Sequence, residues 1–303
     1  MNKTLVIILG EPRAYELTFD NFKKHLINEL DADLCLCIGI KNDFNYDNPF
    51  YKLAKYKFTY DEPIDYADAF DFAYDIITKD KSIYDDGTDK KRLHWRHFLK
   101  IKNQFLGGIL DDNDQHPGSA GILIFYRWFL LHNMIKNDII DKYDKFVITR
   151  SDYLYQLPHP KMFLFNNENI YIPDEEHYGG YTDRHVILSK NSIIQYLDIL
   201  NCLILKSNQY YDIMKHHNKW NLEQLIKLHL QQHNILHLVK EIPYIMYTVR
   251  NINGTTRWQY GYFIKDFGYY IKYPTEYNKS LMYKLEFENS KLTIDDFYKT
   301  KIN

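Results

Sequence analysis

Cysteine, long apolar runs and charge of one sign are all scarce in this sequence, and each scarcity removes a class of protein. Three cysteines in 303 residues, Cys35, Cys37 and Cys202, are too few and odd in number for a disulfide framework, so free thiols in a reducing compartment are expected. The opening MNKTLVIILGEPR carries too short an apolar run for a signal peptide, and the longest later run, GILIFYRWFLLHNMI, is interrupted by Arg127. Neither secretion signal nor membrane span is expected, and the location that follows is cytoplasmic. Net charge is −2 with a pI near 6.7, which gives no electrostatic footprint for nucleic acid or an acidic membrane surface. Also missing are a Gly-x4-Gly-Lys-Ser/Thr loop, a Gly-x-Gly-x-x-Gly turn after the first strand and a Gly-x-Ser-x-Gly elbow. Kinase, dehydrogenase and serine-hydrolase chemistry thereby lose their usual signatures.

What is present is enough apolar residue, 45%, to bury one large core. TLVIILG, FDNFKKHLINEL and DLCLCIGI read as strand, helix and strand over residues 4–40, and a βαβ opening implies a parallel sheet. Residues 41–93, rich in Asp, Tyr and Lys, read as an irregular insertion with short helices. RLHWRHFLKIKNQFLGGIL and ILIFYRWFLLHNMIKN read as helices separated by the turn-like DDNDQHPGS, the second apolar nearly all round and therefore buried. YDKFVIT and NIYIP are strands, SIIQYLDILNCLI and NLEQLIKLHLQQH helices, and ILHLVKEIPYIMYTVR a final strand-like segment. The expectation is one α/β domain over residues 1–250, its mainly parallel central sheet flanked by helices. The tail 251–303, with little helical periodicity, is expected to pack on that domain as an extension.

Ligands of open α/β sheets collect beyond the carboxyl ends of strands. Polar residues stand there in four places: GEPR after the first strand, RSD after YDKFVIT, DEEHYGGYTDR after NIYIP, and Arg250 after the last. In RSD, alternation puts Arg150 and Asp152 on one side of the chain and Ser151 on the other. A carboxylate there suits a divalent cation on a diphosphate, and a guanidinium clamps phosphate oxygens directly. Taken alone, the tripeptide reads first as a surface salt bridge. Gly179-Gly180 permits a turn or a close ligand approach, with Asp183 placed to accept from sugar hydroxyls; the plain alternative is a solvated turn. Asn221 is a plausible N-cap, putting Glu223 in a first helical turn where the macrodipole favours its ionised form and where it can act as a general base. Its plain alternative is a helix-stabilising acid. His229, His233 and His237 recur every four residues, but without His-Glu-x-x-His, and with Asn234 ending the helix, they read as ordinary histidines rather than a zinc site.

The order of the blocks LGEPRAYELTFDNFKKHLINELDADLCLCIG, WRHFLKIKNQFLGG, YDKFVITRSDYLY, IYIPDEEHYGGYTDRHVI and NLEQLIKLHL resembles a family of nucleotide-sugar-dependent glycosyltransferases with members in large DNA viruses. The resemblance, over about residues 4–250, implies a Rossmann-like glycosyltransferase A fold and, for a viral member, the host cytoplasm. It implies that Gly10, Pro12 and Arg13 line the nucleotide pocket and that Arg150-Ser151-Asp152 stands where the fold carries Asp-x-Asp. Asp152 would then hold Mn²⁺ or Mg²⁺, although Arg150 replaces the first acid. Gly179, Gly180 and Asp183 would lie near the donor sugar, Glu223 near the acceptor, and Arg13 or Arg250 at the diphosphate. The partners implied are a nucleoside-diphosphate sugar and a glycan or glycoprotein acceptor. A homodimer through surface tyrosines and the tail is a further candidate. Two other readings stay open: a sugar nucleotidyltransferase, and a silent carbohydrate-binding protein using Tyr153, Tyr155, Tyr178 and Tyr181 as stacking rings.

Overall fold

The computed structural model describes residues 3–102, 104–110, 116–217, 219–253 and 261–302. β1 (Thr4–Leu9) is buried along its whole length, as befits a strand covered on both faces. The chain turns at Gly10 into α1 (Tyr15–Phe22), which continues through a π turn at Lys23–Ile27 into α2 (Asn28–Leu30). β2 (Asp33–Ile40) returns parallel to β1. Cys35 and Cys37 face the same core and are free thiols.

Residues 41–93 are more regular than their composition suggests. They supply α3 (Pro49–Leu53), β3 (Tyr56–Asp61), which pairs parallel with β2, and α4 (Tyr66–Thr78). β3 alternates half-buried Tyr56, Phe58 and Tyr60 with exposed Lys57, Thr59 and Asp61, the signature of a strand at the sheet edge. α4 buries Ala67, Ala69 and Ala73 beside Tyr66 and Phe70, and alanines are a faint signal in an Asp-rich stretch. The opposite correction applies to RLHWRHFLKIKNQFLGGIL, which forms only a 3₁₀ turn at Trp95–Lys100. Tertiary bonds outcompete the helix there: the N–H groups of Gln104 and Phe105 both donate to the Trp220 carbonyl. Gly107 meanwhile packs so closely that a Cβ would lie 2.4 Å from the Pro117 carbonyl oxygen. Asn103 and residues 111–115 of the expected turn lie outside the described residues.

α5 (Ala120–Lys136) is buried on nearly every side, as its composition requires. β4 (Lys145–Thr149) then runs parallel to β1, and after the corner at 150–152 the chain leaves the central sheet to form β5 (Tyr153–Tyr155). β6 (Ile170–Pro173) and β7 (Val186–Ser189) follow. β7, too short to stand out in the sequence, is antiparallel to both β4 and β6. Next come α6 (Ile193–Leu197), α7 (Ile199–Leu205), α8 (Ser207–Met214) and α9 (Leu222–Gln232). The segment ILHLVKEIPYIMYTVR is two strands rather than one. β8 (Val239–Ile242) pairs with β6, and beyond Pro243 β9 (Met246–Arg250) pairs with β5. β10 (Tyr262–Ile264) and β11 (Tyr269–Ile271) extend that second sheet.

The result is a mixed α/β architecture. Among the described residues the central sheet has order β3-β2-β1-β4-β7-β6-β8, mainly parallel and flanked by helices, and a smaller sheet has order β10-β11-β9-β5. Leu5 and Ile7 of β1 face a core shared with α4, α5, α7 and α9, while Val6 and Ile8 face the side of Phe22 and the C-terminal Phe297 and Tyr298.

The tail contains α10 (Pro274–Ser290), a helix of 17 residues, and α11 (Ile294–Lys299), against the expectation of little helix. α10 docks through Tyr277, Tyr283 and Phe287 and through a buried carboxylate. Glu276 is fully buried and accepts from the Thr248 N–H at 2.7 Å, the Tyr244 hydroxyl at 2.8 Å and Arg184 Nη1 at 2.8 Å. Removing one member of such a buried pair strands the other charge, at about 3–5 kcal/mol. Glu276→Ala is therefore expected to lower urea-unfolding stability by that amount, and Glu276→Gln by less, because the amide oxygen still accepts.

Candidate functional site

The corner between β4 and β5 is built on Asp152, which is 2% exposed. Arg150 Nε and Nη2 donate to its Oδ1 and Oδ2, each at 2.8 Å; a turn at Ser151 and Asp152, rather than the extended alternation expected from the sequence, brings the two side chains together. Arg250, at the end of β9, donates from Nη1 to the same Oδ2. Burial by itself would raise the Asp152 pKa, but the charges of Arg150 and Arg250 outweigh it and hold the carboxyl far below the usual range. The positive partners outnumber the acid. Arg250 is itself 2% exposed, and its Nε and Nη2 find no hydrogen-bond partner among the described residues. Burial, opposed by Asp152, shifts its pKa downward, with Arg150 and Arg13 adding to the fall.

Ser151 faces away from this pair. Its Oγ accepts from the Arg13 N–H at 2.9 Å, and its carbonyl accepts from Thr18 Oγ1 at 2.7 Å. It therefore clips the loop after β1 to the loop after β4. Pro12 is buried and its carbonyl accepts from Asn48 Nδ2 at 3.2 Å, while Gly10 holds φ at 101°, a conformation that favours glycine. Arg13, paired through Nε with Glu11 at 3.0 Å, keeps 26% of its side chain exposed. Gly10, Arg13, Arg150, Ser151, Asp152 and Asp183 line one narrow cleft of about 80 Å³.

A second cleft of about 320 Å³ shares Arg150 and Asp183 with the first and adds Glu223, Lys272 and Tyr273. That volume lies within the range of small-molecule sites, roughly 300–1,000 Å³. Asn221 does cap α9, accepting from the Gln224 N–H at 2.8 Å, but Glu223 does not take the ionised preference its helix position suggests. Burial first, and the neighbouring Asp183 charge second, push its pKa up to about 7. Gly180 touches protein rather than standing open to a ligand: a Cβ there would fall 1.9 Å from the Glu223 carbonyl oxygen, and the Tyr181 N–H donates to that same oxygen at 3.0 Å. The Gly179-Gly180 turn thus seats the 175–184 loop on the start of α9, and its effect is to bring Asp183 and Glu223 together.

Three further residues shape the site. Arg127, buried in α5, donates from Nη2 to the Asp183 carbonyl at 3.3 Å; the lone cation in an apolar run was its visible signal. Arg184 is committed to Glu276 and Glu176 and lies 4.1 Å from the Tyr273 ring centroid. Lys272 had no signal in the sequence. It is 5% exposed, and burial with the charges of Arg150 and Arg250 pushes its pKa down to about 6. Of the tyrosines considered as sugar platforms, Tyr153 and Tyr155 are core residues, while Tyr178 is exposed and Tyr181 half-buried.

The donor set does not fit Mn²⁺ or Mg²⁺ at Asp152. Hard divalent ions need several oxygen ligands, yet both oxygens of this carboxylate already accept from guanidiniums, and Arg13, Arg150, Arg250 and Lys272 surround it with positive charge. The chemistry of the group is that of an anion site. Fold and site together define an α/β protein with a cationic pocket beyond its strand ends and a titratable carboxylate beside it. No family model and no curated protein matches the chain. Among solved structures it is similar to the apo crystal structure of mouse xyloside xylosyltransferase 1, with 9% identity, 80% of this chain and 85% of that chain covered, and a TM-score of 0.35. An overlap that loose leaves the reading of the site to its own residues. No helix among the described residues is long and apolar enough to cross a membrane.

A carboxylate depressed in the fold stabilises it above the ordinary carboxylate range and loses that contribution in acid. Asp152→Asn removes it at neutral pH and leaves two guanidiniums unpaired, so thermal stability is expected to fall by the equivalent of about 3–5 kcal/mol. Inorganic pyrophosphate should recover part of the loss in a thermal-shift assay, because an anion bound only to the folded form stabilises it by mass action.

Proposed function

We propose that this protein transfers a sugar from a nucleoside-diphosphate sugar to a hydroxyl acceptor. The observation that supports the reading is the surplus of positive charge around Asp152, where Arg150 lines the cleft that also contains Glu223, Asp183 and Lys272. A diphosphate is the leaving group such a surplus stabilises: negative charge develops on it as the bond to the anomeric carbon breaks, and preorganised cations in a water-poor pocket are most effective there. Arg150 and Arg13 receive the diphosphate, Arg250 adds its charge from behind Asp152, and Lys272 completes the cradle once protonated. Gly10 and Pro12 shape the wall for the nucleoside, and Asp183 accepts from donor sugar hydroxyls.

Glu223 is the general base. It takes the proton of the acceptor hydroxyl as that oxygen bonds to the anomeric carbon, and the electron pair of the old bond leaves on the diphosphate oxygen. A single displacement of this kind inverts the anomeric centre. A base with a pKa near 7 combines a substantial ionised fraction with enough basicity to accept the proton. Asp183 is the second candidate for the role. The positive charge that a metal would contribute comes from side chains, so nucleoside-diphosphate affinity is expected to be unchanged by added Mn²⁺ or Mg²⁺.

Thermal-shift screening with UDP-, GDP-, TDP- and CMP-sugars, followed by product analysis, tests the reading. Release of nucleoside diphosphate supports it; release of pyrophosphate identifies a nucleotidyltransferase, and binding of glycans without nucleotide identifies a carbohydrate-binding protein. The transfer rate should rise with pH through a limb near 7 that disappears in Glu223→Gln, with donor affinity retained and turnover reduced at least about a hundredfold. The stability sign is opposite: a carboxyl raised in the fold favours it at low pH and loses that contribution as pH rises through 7. Lys272, whose pKa burial and the neighbouring arginines push down to about 6, should take up a proton when diphosphate binds. Calorimetry in two buffers of different ionisation enthalpy measures that uptake, and Lys272→Met should abolish it.

A further inference from the structure

At the far end of α9 from Glu223, where that helix packs near α7, three side chains take no part in the reaction proposed above. His229 and His233 are one helical turn apart, with ring centroids separated by 4.5 Å. Cys202 of α7 brings its Sγ to 3.3 Å from His233 Nε2. One ligand atom from each of the three residues lies within 4.8 Å of the other two. His237, the third histidine of the four-residue series, sits in the 3₁₀ turn beyond the helix and is not part of this group.

The orientation of His229 is informative. Its Nε2 faces the Gln195 carbonyl at 2.6 Å, which requires the proton on Nε2 and leaves the Nδ1 lone pair to accept from the Tyr210 hydroxyl at 3.0 Å. A histidine whose far nitrogen donates to a backbone carbonyl is oriented in the manner of a metal ligand. Asp198 Oδ2 stands 3.6 Å from Cys202 Sγ and adds an oxygen donor beside the thiol.

We propose that Cys202, His229 and His233 form a Zn²⁺ site, with a water molecule as the fourth ligand and Asp198 beside the thiol. One thiolate, two imidazoles and a water suit tetrahedral Zn²⁺, and the sulfur and nitrogen donors select against Mg²⁺ and Mn²⁺. On binding, the Sγ–H bond breaks, its proton passes to solvent and its electron pair forms the Zn–S bond; the Tyr210 hydroxyl releases Nδ1. Ligand bonds of about 2.0–2.3 Å require the three ligand atoms, which lie within 4.8 Å of one another, to close around the ion. The ion joins α7 to the C-terminal end of the helix whose first turn carries Glu223.

Titrating the chelator-treated, desalted protein with Co²⁺ tests this, because cobalt replaces zinc and reports its ligands. One equivalent is expected to produce a thiolate-to-cobalt charge-transfer band and intense tetrahedral d–d bands, both removed by Zn²⁺, and to raise the thermal midpoint. Cys202→Ser should lose the charge-transfer band while keeping its circular dichroism spectrum. His233→Gln, at a half-buried position, should bind Co²⁺ at least about tenfold more weakly. Saturation without a charge-transfer band, or wild-type binding by His233→Gln, would overturn the site. Should Cys202→Ser fail to fold, the wild-type band and His233→Gln decide the matter.

Discussion

The carboxylate of Asp152, held between Arg150 and Arg250, is the interaction on which the rest of the site depends. It sits where the chain leaves the central sheet for the smaller one, so one ion group joins the end of β4 to the end of β9. A single negative charge makes burial of these guanidiniums tolerable without cancelling them. With arginine rather than a second acid at 150, and with Arg250 and Arg13 near, the corner carries more positive than negative charge.

That sign spreads through the neighbouring groups. Lys272 is pushed towards its neutral form by burial and then by the same arginines, and Arg184 is kept in place by spending its charge on Glu276 and Glu176. On the other side of the cleft the balance reverses: Glu223 and Asp183 lie close enough that the second carboxylate helps to raise the pKa of the first. A pocket cationic at one end and basic at the other is suited to separating a leaving anion from an attacking hydroxyl. Its polarity follows from packing. The Gly179-Gly180 turn seats the Asp183 loop on α9, and Arg127 holds the Asp183 carbonyl from behind.

Most of the strand framework was legible because its apolar runs are long and bounded by turns: β1, β2, β4 and β6 fall where period and composition place them. The failures share a cause, which is that the decisive contacts are distant in sequence. β3 and α4 hide in a stretch whose buried residues are tyrosines and alanines, and β7 is four residues long. The segment before Gly107 looks helical, yet its backbone bonds to Trp220 more than a hundred residues away. α10 is docked by the buried Glu276 together with Tyr277, Tyr283 and Phe287, whose partners are distant in sequence.

At the site itself, local sequence determined the chemistry of single positions: that Asn221 caps α9, and that acids and arginines follow the strands. Capping and the residue types at strand ends are properties of a few consecutive residues, so they can be read from the chain. Which charges meet was decided only by tertiary structure. Arg250 reaches Asp152 across 98 positions, Glu276 reaches Arg184 across 92, Lys272 enters the cleft from the tail, and Cys202 joins His233 across 31. Charge pairing and burial fix the pKa of Glu223 and the fate of Asp152. Both depend on distances that the sheet order and helix packing set, and no local pattern encodes them.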